Sequence, residues 1–141
     1  LVPIRSIETH DIDDITNPPS LTIGTPLNGM NSSYVFYFIE EEGIQTEVIN
    51  AASIKPLDVQ AVLDSVKKTG CAVTVEDHQV AGGLGGLLSE VFAANLPTPL
   101  ERVGLQDTFG ESGTPAELIE KYGMSAEAIV KAAKRVITRK K

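Results

Sequence analysis

The stretch Cys71-Ala72-Val73-Thr74-Val75-Glu76-Asp77-His78-Gln79-Val80-Ala81-Gly82-Gly83-Leu84-Gly85-Gly86-Leu87-Leu88-Ser89-Glu90-Val91-Phe92 decides how the rest of the chain is read. Residues 71–75 are small or apolar without alternation, the pattern of a strand buried on both faces of a helix-covered parallel sheet. A glycine-rich loop follows at 82–86. Leu84, Leu87, Leu88, Val91 and Phe92 then recur at helical spacing. Strand, loop and helix in that order make half of a βαβ unit.

The same alternation extends in both directions. Upstream, Val59, Val62, Leu63 and Val66 form one apolar stripe, entered through the turn Ile54–Asp58 and stopped by Gly70. Ile44, Thr46 and Val48 alternate and predict a strand over 44–50. Residues 31–42 predict a helix: Asn31, Ser32 and Ser33 are caps, Glu40-Glu41-Glu42 are helix formers and Gly43 is a stop. The short, β-rich 20–24 is a further strand. Downstream, Leu100–Leu105 is the last strand. Thr114-Pro115-Ala116-Glu117 carries a cap, a first-turn proline and a third-position glutamate, which predicts a helix ending near Tyr122-Gly123. Ser125 is placed to cap a final helix with Ile129, Val130, Ala133, Val136 and Ile137 on its buried face.

Strands alternating with helices mean an α/β fold with a mostly parallel sheet. Residues 1–19 have no periodicity, hold four acids (Glu8, Asp11, Asp13, Asp14) and end in Pro18-Pro19, so they read as a linker or the end of a preceding domain. The domain proper is expected at 20–141. A start at Leu1 rather than Met suits a piece of a longer protein.

The length of 141 residues, with 42% hydrophobic and 22% charged, suits one globular domain. A single cysteine, Cys71, excludes an intrachain disulfide, and a cytoplasmic location is expected. The net charge of −7 argues against nucleic-acid partners, whose phosphates call for basic surfaces. No apolar run approaches the roughly 20 residues of a membrane helix. Residues 1–130 hold six basic and nineteen acidic groups, whereas 131–141 hold six basic groups and no acid. Lys131, Lys134, Arg135, Arg139, Lys140 and Lys141 read as the polar face and end of the last helix, where cations suit its dipole.

Ligand sites of open α/β sheets form beyond the carboxyl ends of strands, which draws attention to 76–86. A dinucleotide fingerprint fails there: Gly83-x-Gly85 needs a small residue at 88, which is Leu88, and the turn after Val75 is too long. Glu76, Asp77 and His78 have the chemistry of an acid/base set. Neighbours along a chain do not converge on one target, so local backbone or interface contacts are the expected roles. Gly24-x-x-x-x-Gly29 has phosphate-loop spacing, but Met30 and Asn31 replace the lysine and hydroxyl that such a loop needs. Cys71 reads as a small core residue and His10 carries no signal. Two histidines and one cysteine do not make a zinc site.

Read together, Ile54-Lys55-Pro56-Leu57-Asp58, Val73–His78 with Gly82-Gly83-Leu84-Gly85, Gly104-Leu105-Gln106-Asp107-Thr108-Phe109-Gly110-Glu111-Ser112-Gly113, and Glu117-Leu118-Ile119 with Tyr122-Gly123 closely resemble the C-terminal domain of transketolases, split forms included. The resemblance runs from about residue 20 to 138. Related domains occur in deoxyxylulose-phosphate synthase and in 2-oxo acid dehydrogenase beta subunits. It implies a three-layer α/β/α domain with a five-stranded, mostly parallel sheet and one antiparallel edge strand, assigned to 20–24. It implies a parent enzyme moving two-carbon ketol units between sugar phosphates with thiamine diphosphate and Mg2+. Both are held by other domains or a companion subunit, so this chain alone has no catalytic, cofactor-binding or metal-binding residues and no activity. A homodimer is implied, with Glu76, Asp77, His78, Gly82, Gly83 and Gly85 as interface candidates. Arg5 is the candidate for substrate phosphate. The rival of another class is a free-standing ligand-binding or regulatory module.

Overall fold

The computed structural model describes Ile7–Glu8, Leu21–Thr25 and residues 39–140. Among these, β1 is Ile7–Glu8, β2 Leu21–Thr25, β3 Thr46–Asn50, β4 Ala72–Gln79 and β5 Leu100–Leu105. The helices are α1 Val59–Thr69, α2 Leu84–Asn95, α3 Pro115–Lys121 and α4 Ala126–Ile137.

The strands form one sheet in the order β1-β3-β2-β4-β5. β2 runs parallel to both β3 and β4, and β4 runs parallel to β5. The chain therefore steps from β2 to one side, then turns back across it to β4 and β5. With right-handed crossovers, that reversal puts the connection before β3 on one face and α1 and α2 on the other. The apolar clusters follow this division. Ile39, Cys71, Val73, Val75 and Val103 pack with Met124, Ile129, Ala132, Ala133 and Val136. Ile49 and Ala72 pack with Val62, Leu63 and Val66 of α1 and Leu84, Leu88, Val91 and Phe92 of α2. Ala72 and Val73 belong to opposite clusters, as the two-residue period of a strand requires.

The expected antiparallel edge needs correction. Residues 21–25 lie inside the sheet, parallel on both sides. The antiparallel edge is β1, with Ile7 opposite Ile49 and Glu8 opposite Val48. The sheet thus takes in two residues of the segment that read as an arm. Leu21–Thr25 is short but pairs along its length with β3 and over Thr22–Gly24 with β4, which makes it an interior strand.

Local signals act as their chemistry requires. Asp58 caps α1, its carboxylate accepting from Ala61 N at 3.0 Å, and Gly70 closes the helix in the left-handed conformation. Thr114 and Glu117 form a reciprocal capping box with Pro115 in the first turn of α3. Ser125 precedes α4, but its side chain makes no cap hydrogen bond. On α4, Ile129, Ala133 and Val136 are buried together with Ala132, while Val130 and Ile137 are half-buried. Of the helix expected over 31–42, Ile39–Glu41 is helical and leads into the turn at Gly43. Residues 31–38 lie outside the described residues.

Candidate functional site at the carboxyl end of β4

β4 does not stop at Val75. It continues through Glu76, Asp77, His78 and Gln79. Val75 faces Val103 on β5 and Gln79 faces Leu105, so four steps on β4 oppose two on β5. Such a bulge redirects side chains at a strand end. Gly104 permits it, because a Cβ there would lie 2.8 Å from the His78 carbonyl oxygen and 2.9 Å from that of Glu76.

Glu76 turns inward and is 1% exposed. Its Oε2 accepts from Leu84 N at 2.7 Å and its Oε1 from Gly85 N at 2.9 Å. These are first-turn amides of α2, which have no partners within the helix. The N-cap residue of α2 is Gly83, which has no side chain to cap with. The carboxylate supplies the missing cap from a neighbouring strand. It gains two charge-assisted bonds and the favourable end of the helix dipole. Gly83 is required at its position, since a Cβ there would overlap Glu76 Oε2 and approach Gln79 O to 2.8 Å.

The remaining members of the sequence triplet diverge. Asp77 and His78 are exposed. The His78 ring bonds through Nδ1 to the carbonyl of Gln79 at 3.0 Å, which makes Nδ1 the donor and leaves Nε2 pointing away from that contact. Gln79 Nε2 donates to Thr108 O at 2.6 Å and so fastens the loop after β5 to the end of β4. In that loop Phe109 is 95% exposed. Its carbonyl accepts from the Tyr122 hydroxyl at 3.3 Å, and Lys121 pairs with Glu111 at 2.7 Å.

Of the interface candidates, Asp77, His78 and Gly82 therefore face outward, while Glu76, Gly83 and Gly85 are buried within the domain. Glu76, Asp77 and His78 do not converge, so they form no acid/base set. Gly85 and Gly86, read as loop, lie in the first turn of α2. The crevice does not fit a cofactor diphosphate, because the two helix amides that would bind it are already satisfied by Glu76. Among the described residues, no three of His, Cys, Asp and Glu gather in a metal-binding arrangement.

The other candidates fall elsewhere. Gly24 lies within β2, and Gly29, Arg5 and His10 are outside the described residues. Cys71 is fully buried, and burial pushes its thiol pKa up. Three of the six basic tail residues are held by acids of the same domain. Lys134 pairs with Glu42 at 2.6 Å, and Arg135 and Arg139 both pair with Glu101, at 3.0 and 2.6 Å. No described helix is long and apolar enough to cross a membrane.

Sheet order, helices on both faces and the cross-strand cap define a doubly wound α/β domain. This chain belongs to the transketolase C-terminal domain family, whose model, "Transketolase, C-terminal domain", matches residues 35–129. It is 48% identical over 99 residues to a 6-deoxy-6-sulfo-D-fructose transketolase subunit from Clostridium sp., covering 70% of this chain and 31% of that protein. It is 44% identical over 94 residues to a putative transketolase C-terminal section from Methanocaldococcus jannaschii, covering 66% and 29%. It is also 44% identical over 92 residues to a 1-deoxy-D-xylulose-5-phosphate synthase from Thermomicrobium roseum, covering 64% and 15%. Among solved structures it is similar to a split gene transketolase described as an inactive beta4 tetramer. That likeness has a TM-score of 0.81 and 38% identity, and covers 89% of this chain and 41% of that one. The chain spans less than a third of the length of these curated relatives.

Proposed function

We propose that this chain is the C-terminal, assembly-supporting part of a thiamine diphosphate-dependent transketolase that transfers two-carbon ketol units between sugar phosphates. The observation that carries the reading is the family match over 35–129, joined to 48% identity with a transketolase subunit. In this reading the domain is a three-layer α/β/α unit built on 20–141 and completed by the edge strand Ile7–Glu8, with the chain before it leading from a pyrimidine-binding domain. Thiamine diphosphate and Mg2+ belong to companion domains or a companion subunit, and the isolated chain is inactive. The self-capped α2 supports that division of labour, because it offers no free amides to a diphosphate. Asp77, His78 and Gly82 are the outward groups of the β4 end and would contact the companion part or a second copy in a homodimer. Arg5 would meet a substrate phosphate. The enzyme would work in the cytoplasm.

Identity of 44% to a 1-deoxy-D-xylulose-5-phosphate synthase favours one second reading, a parent that uses pyruvate as donor. Two measurements test these readings. Titration calorimetry of this chain with thiamine diphosphate and Mg2+ should give no binding heat, and micromolar binding would move the cofactor onto this chain. The parent enzyme, assayed with a ketose phosphate against pyruvate, should turn over the ketose phosphate. Turnover of pyruvate with an aldose phosphate as acceptor, releasing CO2, and none of the ketose phosphate would select the synthase.

A further inference from the structure

The space beneath the α2 N-terminus holds more polar groups than a cap needs. Thr74 lies on the same face of β4 as Glu76, is fully buried, and its hydroxyl has no hydrogen-bond partner among the described residues. That oxygen stands 2.9 Å from the point where a Cβ on Gly85 would lie. From β5, the Cγ and Cδ of Arg102 come within 2.8 and 2.7 Å of the same point. The guanidinium ends near the carbonyl of Val80, a long 3.4 Å from Nη1, in the turn leading into α2. Two helix amides thus bond to the Glu76 carboxylate, and beside them the Thr74 hydroxyl and the Arg102 side chain approach the same first turn of α2 at Gly85.

We propose that this crevice is an oxyanion cradle that the chain fills with its own carboxylate. Glu76 stands where two oxygens of a phosphate-like ligand would otherwise bind, and by standing there it closes the site. The physical basis is the preference of helix N-termini for anions, with amides aimed at the ligand and the dipole favouring negative charge. The Thr74 hydroxyl adds a donor that the planar carboxylate leaves unused, and a tetrahedral oxyanion has a third oxygen to take it. The crevice lies over β4 and β5, toward the carboxyl ends of parallel strands, the side on which open α/β sheets take their ligands. Here that place is shut from within. The inference goes beyond the proposed function and does not depend on what reaction the parent enzyme catalyses.

The test is a titration of the 15N-labelled chain with inorganic phosphate, matched in ionic strength with chloride, for the wild type and Glu76→Ala. In the wild type, the Leu84 and Gly85 amide signals should not respond. In E76A the same two signals should move saturably, with affinity at least tenfold above any wild-type response. The melting temperature of E76A should rise with phosphate more than that of the wild type. Should E76A not fold in chloride, phosphate should restore its folded spectrum. A wild-type response at Leu84 and Gly85, silence of both amides in folded E76A, an equal thermal effect on both proteins, or failure of phosphate to restore an unfolded variant would each overturn the proposal.

Discussion

Replacing Gly83 with alanine adds one methyl group at the point where β4 and α2 are joined. A Cβ at Gly83 would overlap Glu76 Oε2 and lie 2.8 Å from both Glu76 Cδ and the backbone oxygen of Gln79. Neither neighbour is the free end of a flexible side chain. The carboxylate is buried and held by two amides, and the carbonyl belongs to the bulged strand. Relief requires the helix start to move away from Glu76, losing one or both charge-assisted bonds, at about 1.5–3 kcal/mol each. A loss of about 3 kcal/mol is a large share of the about 5–15 kcal/mol that holds a domain folded. With a urea slope of about 1–3 kcal/mol per M, the midpoint should fall by about 1–3 M. Gly82 is the internal control. Its φ of +79° makes an alanine strained, but no atom lies within 4 Å of the added methyl, so Gly82→Ala should cost only about 1 kcal/mol. Equilibrium urea unfolding of both variants decides the matter. If Gly82→Ala were as damaging as Gly83→Ala, or if Gly83→Ala cost less than about 1 kcal/mol, the Glu76 cap would not be the joint described here.

Gly104→Ala sets a methyl against the carbonyls of Glu76 and His78 and should cost about 2 kcal/mol or more by urea unfolding, with chemical-shift changes centred on the bulge. Thr114→Ala removes half of the capping box of α3 and should cost about 1 kcal/mol in the same assay. Glu117 receives hydrogen bonds from the Thr114 side chain and backbone, which lower its pKa below the ordinary glutamate value. A group depressed in the folded state supports the fold above its unfolded pKa and loses that support as pH falls through its folded one. NMR titration should therefore show Glu117 protonating below the usual glutamate range, and Thr114→Ala should bring it back up. Cys71 should resist a thiol reagent in the folded chain and react once denaturant exposes it, and rapid labelling under native conditions would contradict its burial.

What the sequence disclosed depends on how local each signal is. α1 and α3 were legible because cap, stripe and stop lie within a dozen residues: Asp58 with Val59, Val62, Leu63, Val66 and Gly70, and Thr114 with Pro115 and Glu117. β5 matches its expected bounds, Leu100–Leu105. β4 outran its expected end because Glu76, Asp77 and His78 are polar and an acid normally marks the surface. The buried role of Glu76 rests on partners eight and nine residues further on, which no periodicity reveals. One clue was present: α2 starts at Gly83, with no Ser, Thr, Asp or Asn to cap it, so its first amides needed an acceptor from elsewhere. The antiparallel edge escaped because two residues, Ile7–Glu8, are too short to carry a pattern. Pairing with β3, across nearly forty residues of chain, is a tertiary event rather than a local one.

The position of β2 bears on how this domain is to be cut for expression. The family match begins at residue 35 and ends at 129, yet β2 lies at 21–25 and α4 continues to Ile137. β2 is the strand that hydrogen-bonds to β3 on one side and to β4 on the other. A fragment trimmed to 35–129 would separate β3 from the β4–β5 pair and leave Val73 and Val75 without Ala132, Ala133 and Val136 over them. Such a fragment would hold two pieces of sheet with no strand to bridge them and would aggregate through the bared edges. Boundaries drawn by sequence similarity and boundaries that fold are different things in this domain, and the difference is the keystone strand.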